Sequence, residues 1–134
     1  MLLLKVRCNS IASTRRLIKH LERIKPDIVH LQNIHSYLSP ILAKLAKDFG
    51  CKVVWTLHDY KLLCPSYSCL RDGKPCELCY DEKTNVLTKR CMKGSLVASV
   101  LAYAEALKCN RAWLERHVDA FVCPSAFMAR KMKQ

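Results

Sequence analysis

The chain has 134 residues, a length that suits a single domain. Lysine and arginine total 23 against 11 acidic residues, so the formal net charge is +12 and anionic partners are expected: nucleic acid, phosphate-bearing ligands or an acidic membrane surface. No apolar run reaches the ~20 residues of a membrane span, and the start MLLLKVRC lacks the pattern of a secretory signal. A cytoplasmic location is therefore predicted.

The chain begins with a predicted helix followed by a predicted strand. A helix is predicted over residues 13–25, because apolar side chains recur at helical spacing and Pro26 follows them. The run DIVHLQN, residues 27–33, is short and β-branched and predicts a strand. His30 alternates with apolar neighbours in this run, and we interpret it as a core histidine.

The middle of the chain predicts a second helix, a second strand and a long loop. Ser39 and Pro40 are typical of a helix start, and Gly50 is typical of a helix end. Residues 52–58 predict a buried strand. Residues 59–93 show little periodicity and carry five cysteines, so they predict a cysteine-rich insertion, which at this length is usually functional or held by metal.

The last third predicts a long helix, a third strand and a final helix. The long helix covers residues 95–117, with a break near residues 109–110, and the strand covers residues 119–125. The final helix starts after Ser125, which is placed to cap it. Because strands alternate with helices throughout, the fold class is predicted to be α/β, a Rossmann-like three-layer arrangement around a parallel sheet.

Polar side chains follow each of the three predicted strands. In an open parallel sheet, ligands bind beyond the carboxyl ends of the strands, so these side chains predict a polar cleft at one edge. His58 and Asp59 could act there as acid, base or hydrogen-bond donors; alternatively, His58 only ends its strand and bonds a carbonyl group. The predicted cleft residues are Asn33, His35, His58, Asp59, Tyr60 and Ser125.

The cysteines of the loop predict a structural zinc site. Cys76 and Cys79 have the two-residue spacing that lets two thiolates reach one tetrahedral ion, and Cys64 and Cys91 each lie 12 residues away from this pair. The predicted ligands are therefore Cys64, Cys76, Cys79 and Cys91, and Cys69 is a spare that could replace Cys64. The alternative is that all of them are free or partly buried thiols.

Four ordered blocks of the sequence resemble the N-terminal domain of glycosyltransferase family 4. The blocks are PDIVHLQNIHSYLSP, KVVWTLHDYKLLCPSYSCLRDGKPCELC, RCMKGSLVAS and VDAFVCPSAFMARKM, and together they cover residues 26–132. This resemblance implies the two-Rossmann GT-B architecture and a retaining, nucleotide-sugar-dependent enzyme. The implied reaction is transfer of a hexosyl-type sugar to a saccharide or lipid-linked acceptor in polysaccharide or glycolipid biosynthesis.

The resemblance also implies roles for the strand-tip residues. His58 would lie near the transferred sugar, and Asp59 and Tyr60 would shape the same pocket. The family often has H-x-H-N at the first strand tip, and Gln32 departs from that pattern. The resemblance implies no catalytic metal, so any zinc would be structural, and it makes an anionic membrane face a natural peripheral partner.

The chain departs from the family in length and glycine content. It has three glycines, Gly50, Gly73 and Gly94, and none of them lies in a glycine-rich turn near the start. The second Rossmann domain, which holds most of the nucleotide sugar in such enzymes, is not part of these 134 residues. We therefore expect residues 1–134 to be a truncated N-terminal domain with the insertion 59–93, inactive alone.

A non-catalytic, zinc-containing module that binds nucleic acid is the alternative interpretation. The charge of +12 and the cysteine loop favour it. Nucleic-acid binding also predicts aromatic residues interleaved with basic ones, whereas Trp55 and Trp113 lie in apolar patterns. We therefore expect no nucleic-acid partner.

Overall fold

The structure, a computed structural model, describes residues 11–34 and 39–133. It contains two compact units. The first, called here the sheet unit, is bounded as Met1–Leu57 and Leu114–Val122; the second, called the cysteine unit, is bounded as His58–Trp113 and Cys123–Gln134. The predicted insertion 59–93 lies within the cysteine unit.

The described part of the chain contains both helices and strands. In chain order they are α1 (Ile11–Ile24), β1 (Ile28–Gln32), α2 (Ile41–Asp48), β2 (Lys52–Thr56), β3 (Leu70–Arg71), β4 (Lys74–Pro75), α3 (Leu78–Asp81), α4 (Asn85–Thr88), α5 (Leu96–Lys108), α6 (Arg111–His117), β5 (Ala120–Val122) and α7 (Ala126–Met132). No described helix is long and apolar enough to cross a membrane.

The sheet unit is built on three parallel strands in the order β1-β2-β5. The central strand β2 buries Val53 and Trp55, which are 0% and 1% exposed, because successive strand residues point to opposite faces and these two share one face. Helix α2 packs against β2 and buries Leu42, Ala43 and Ala46. The parallel sheet confirms the predicted Rossmann-like α/β class.

Local signals set the ends of the first helix and the break in the long one. Lys25 has a left-handed φ of 49° just after α1, and Pro26 cannot continue a helix. The break predicted near residues 109–110 separates α5 from α6, and Asn110 Oδ1 accepts the N–H of Trp113 at 2.9 Å. Helix α6 therefore begins where an asparagine side chain satisfies one of the free N–H groups of a helix start.

The second and third strands of the sheet are shorter than predicted. Strand β2 ends at Thr56 rather than at residue 58, and β5 ends at Val122 rather than at residue 125. One further hydrogen bond, from Leu57 N–H to the Val122 carbonyl at 2.9 Å, follows the last paired residues. His58 and Ser125 therefore lie beyond the sheet, in the segments that leave it.

The cysteine unit consists of short elements attached to one longer helix. Strands β3 and β4 form a two-residue antiparallel hairpin, and α3 and α4 are single turns. Helix α5 starts at a Ser95 cap, whose hydroxyl oxygen accepts the N–H of Ala98 at 3.3 Å, and α4 packs on α5. A cluster in this unit buries Cys64, Cys79 and Val86, and five partly buried side chains pack against it: Cys69, Leu87, Cys91, Met92 and Tyr103.

Candidate functional site

The carboxyl ends of three strands lie at one edge of the sheet, because β1, β2 and β5 are parallel neighbours. Asn33 directly follows β1, His58 is the second residue after β2, and Ser125 is the third after β5. This is the edge at which open α/β sheets bind ligands. The strand directions on which the predicted cleft depends are therefore confirmed, whereas the roles of the cleft residues stay predictions.

Asn33 is placed by a turn at the end of β1. Its φ is 45°, in the left-handed region that asparagine tolerates better than most residues, and its side chain is exposed. The chain therefore turns sharply at this residue and presents an amide group to solvent. His35, predicted beside it, lies outside the described residues.

His58 is exposed at the start of the cysteine unit, and the two residues after it order the turn. Asp59 Oδ1 accepts the N–H of Lys61 at 2.9 Å, and the Tyr60 carbonyl accepts the N–H groups of Leu63 and Cys64 at 2.9 and 2.8 Å. Asp59 and Tyr60 therefore have a structural role that the sequence did not reveal, and the imidazole of His58 remains accessible to a ligand.

An ion pair within the cysteine unit holds this turn to α5. Lys61 Nζ lies 2.9 Å from Glu105 Oε2, and the two side chains are 17% and 23% exposed. A pair this sheltered is screened less by solvent than a surface pair. The sequence does not reveal this pair, because nothing local relates residues 44 positions apart in the chain.

Ser125 caps the last helix. Its hydroxyl oxygen accepts the N–H of Met128 at 3.1 Å, and its backbone is extended with a φ of −142°. The predicted cap is therefore confirmed. The side chain is also exposed, so that its position is compatible with a ligand contact. Ser125, His58, Asp59 and Tyr60 belong to the cysteine unit, whereas Asn33 belongs to the sheet unit.

The interpretation of His30 as a core histidine is wrong. Its side chain is exposed on β1, and Nε2 lies 2.7 Å from Thr56 Oγ1 on the neighbouring strand β2. Leu31, the next residue, is buried, because the two side chains point to opposite faces of the sheet. Apolar neighbours in the sequence therefore do not show which face of β1 is buried and which is exposed to solvent.

The cysteines of the loop gather in the core of their unit. Cys64 and Cys79 are buried together with Val86, and Cys69 and Cys91 pack against them. Among the described residues, no group of three or more His, Cys, Asp or Glu side chains is already arranged as a metal site, and no described cysteine forms a disulfide. The zinc site therefore stays a prediction.

The electrostatics of the cluster favour ionisation at one thiol. Interactions with the thiols of Cys69 and Cys79 lower the pKa of Cys64 far below its ordinary value. The same interactions raise the pKa of Cys69 and of Cys79. The physical cause is that neighbouring S–H groups stabilise the first thiolate, whereas its charge opposes a second ionisation.

A pocket of the sheet unit lies at the edge opposite the predicted cleft. It is lined by residues around the amino-terminal ends of β1 and β2, including Leu21, Lys25, Asp27, Phe49 and Lys52. Ligands of open α/β sheets bind at the carboxyl ends, so this pocket is not the site to which the strand tips belong.

Comparison with known proteins identifies a family. The family model described as Glycosyltransferase Family 4 matches residues 1–134, which is the whole of the sequence. No curated protein and no solved structure matches the chain.

Proposed function

The chain belongs to glycosyltransferase family 4, and on this premise we propose that it is the acceptor-side part of a retaining, nucleotide-sugar-dependent glycosyltransferase. The family supports a role in sugar transfer, and one structural observation supports the location: three parallel strands end at a common edge. The segments leaving that edge carry Asn33, His58 and Ser125, whose polar side chains are all exposed.

We propose that the reaction is a front-face displacement. The bond from the anomeric carbon of the donor sugar to its phosphate oxygen breaks, and a bond from the same face of that carbon to the acceptor hydroxyl forms. The hydroxyl proton passes to the departing phosphate, so that no protein base is required. His58 hydrogen-bonds the transferred sugar or stabilises the charge that develops beside it.

The acceptor is a saccharide or lipid-linked saccharide, and the remaining cleft residues hold it. Asn33 presents an amide, Ser125 a hydroxyl, and Asp59 retains one carboxylate oxygen besides the oxygen that orders the turn. Tyr60, which is half-buried, supplies a ring for a sugar face. His35 is proposed for the same pocket on the resemblance alone.

The proposed reaction calls for a donor-binding Rossmann domain, on the same polypeptide or on a partner. The test is to sequence the gene downstream of the codon for Gln134 and to express the chain with the polypeptide encoded there. Uridine- and guanosine-diphosphate sugars serve as donors, a lipid extract of host membranes serves as acceptor, and released nucleoside diphosphate is measured. Transfer by the combination is the expected result. A downstream frame without a nucleotide-binding domain, together with no transfer, contradicts the proposal.

The matched variants are His58→Ala and His20→Ala. Removing a transition-state hydrogen bond lowers the rate about 100-fold, and this loss is expected for His58. His20 is an exposed histidine on α1, where its described hydrogen-bond partner is Arg23 at 3.5 Å, so its replacement should leave the rate unchanged. Equal rates for the two variants contradict the role of His58.

We further propose peripheral contact with an anionic membrane through the basic face of α1, in a protein of the cytoplasm. Arg15, Arg16, Lys19 and Arg23 are all exposed on this helix. Each basic residue near an anionic surface contributes about 1 kcal/mol. Binding to phosphatidylglycerol vesicles that high salt abolishes is the expected result, and equal binding to neutral phosphatidylcholine vesicles contradicts it.

A further inference from the structure

The cysteine loop has too little apolar core to account for its order. Between His58 and Ser95 the regular structure consists of a two-residue hairpin and two single helical turns. Helices this short are marginal in water, and so is an isolated hairpin. The buried residues of the loop's cluster are Cys64, Cys79 and Val86. A core of two cysteines and a valine, against which Leu87, Met92 and Tyr103 pack while only partly buried, is a small source of stability, and this points to a further cross-link.

Four thiols from separate parts of the loop occupy this core. Cys64 and Cys79 are buried together, and Cys69 and Cys91 pack against this pair. Cys64 and Cys69 therefore both belong to the cluster. Cys91 follows the α4 turn, where its N–H donates to the Val86 carbonyl at 3.1 Å, so the cluster joins both ends of the loop.

The hairpin presents two cysteines side by side. Leu70 pairs with Pro75 and Arg71 with Lys74, and the next pair outward is Cys69 and Cys76, whose backbones are joined by a 2.8 Å hydrogen bond from Cys76 N–H to the Cys69 carbonyl. This hydrogen bond keeps the two residues next to each other, although Cys69, with a left-handed φ of 50°, no longer follows the strand. Either sulfur can therefore complete a site that contains Cys79. Cys69 already packs against the buried cysteines, and Cys76 has the two-residue spacing from Cys79 that suits one tetrahedral ion.

A lysine next to the cluster offsets negative charge. Lys83 Nζ donates to the carbonyl groups of Leu62 and Leu63, in the turn that precedes Cys64. Burial lowers the pKa of Lys83, and nearby cysteine thiolates act in the opposite direction. A zinc ion with four thiolates carries a net charge of −2, and a half-buried ammonium held in place beside it reduces the cost of burying that charge.

We propose that the loop is a structural zinc site, in which the thiolates of Cys64, Cys79 and Cys91 and one thiolate of the hairpin pair Cys69 and Cys76 hold one Zn²⁺ ion tetrahedrally. On binding, four thiols lose their protons and four Zn–S bonds form, with no change of oxidation state. Four protein ligands leave no open position, so that the ion orders the loop and takes no part in sugar transfer.

The first test uses the wild-type chain and needs no variant. It is purified without chelator, its zinc content is measured per chain, and the zinc is then exchanged for Co²⁺. One zinc per chain and the intense sulfur-to-cobalt absorption of a tetrahedral thiolate site are expected. A metal-free chain that also gives no cobalt spectrum overturns the proposal, as does recovery of these cysteines as disulfides under reducing purification.

The second test locates the ligands. Cys79→Ser and Cys91→Ser should lose the metal, whereas Cys51→Ser and Cys123→Ser, which lie outside the loop, should retain it. Full zinc in Cys79→Ser overturns the assignment. Of Cys69→Ser and Cys76→Ser, one should lose zinc and the other keep it; retention in both overturns the proposed fourth ligand. This test measures metal content and not sugar transfer. Its result therefore does not depend on whether the proposed glycosyltransferase function is correct.

Discussion

Asp119 joins the beginning of β5 to β2 through both its side chain and its backbone. Its Oδ2 accepts the N–H of Val53 at 2.7 Å, and its own N–H donates to the Val53 carbonyl at 2.8 Å. Its Oδ1 lies 2.5 Å from Lys47 Nζ on α2. One carboxylate therefore ties two strands and a helix together at the amino-terminal edge of the sheet, opposite the proposed cleft.

The first prediction concerns acid stability. The hydrogen bond from Lys47, and then that from Val53, lower the pKa of Asp119 to about 2. A carboxyl group whose pKa is lower in the folded than in the unfolded state stabilises the fold above its unfolded pKa of about 4, and this contribution is lost as the pH falls toward 2. Asp119→Asn should therefore unfold at lower urea than the wild type at pH 7.

The pH dependence of this difference is the critical measurement. Urea midpoints of Asp119→Asn and the wild type should converge as the pH falls from about 4 to about 2. Asp48→Asn is the control, because Asp48 makes an exposed pair with Lys44 on the same helix and its loss should change stability by about 0.5 kcal/mol or less. If the urea midpoints of Asp119→Asn and the wild type differ by the same amount over this whole pH range, the role assigned to the Asp119 carboxylate is contradicted.

The second prediction concerns the centre of the sheet. Trp55 is 1% exposed, and its ring lies 6.2 Å from that of Phe121 on the neighbouring strand. Trp55→Ala leaves a large cavity and should lower the free energy of unfolding by about 3–5 kcal/mol. Trp55→Phe keeps an aromatic ring and should cost less. Urea unfolding followed by far-ultraviolet circular dichroism measures the free energy of unfolding of both variants. Equal losses of stability in Trp55→Ala and Trp55→Phe would contradict the prediction that the buried ring volume stabilises the sheet.

The third prediction concerns a buried hydroxyl. Ser99 on α5 is 0% exposed; its Oγ donates to the Ser95 carbonyl at 2.8 Å and accepts the N–H of Met92 at 3.3 Å. Ser99→Ala leaves that N–H without its partner and should lower the free energy of unfolding by about 1–3 kcal/mol. Thr88→Ala removes an exposed hydroxyl and should change it by about 0.5 kcal/mol or less. A neutral Ser99→Ala would contradict this prediction.

The fourth prediction separates the two roles given to Ser125. Ser125→Ala removes the cap of α7 and should cost about 1 kcal/mol, whereas Ser125→Asp keeps a capping oxygen and should fold like the wild type. Amide exchange at Met128 reports the cap directly. In the transfer assay, Ser125→Asp should still lower the rate, because a carboxylate replaces the hydroxyl offered to the acceptor; an unchanged rate would remove Ser125 from the proposed site.

Local chemistry predicted much of the fold and some of the site. The break between α5 and α6 and the cap at Ser125 could be predicted, because a cap acts within one turn of its own residue. The family was also recognisable from the sequence blocks, and the comparison confirms it. The strand ends were less accurate, because the length of a strand depends on the neighbour with which it pairs, as the early end of β2 shows.

By itself, the sequence determined the order of the three sheet strands and of the longer helices, and the parallel direction of the sheet, since strands joined by helical crossovers run parallel. It did not reveal the short elements between residues 70 and 88. Only the tertiary structure decided which residues meet. Asp119 acquires its partners from segments up to 72 residues away, His30 is exposed because of how β1 packs, and the hairpin brings Cys69 beside Cys76. Such relationships arise from contacts between distant segments, and neither spacing nor periodicity encodes them.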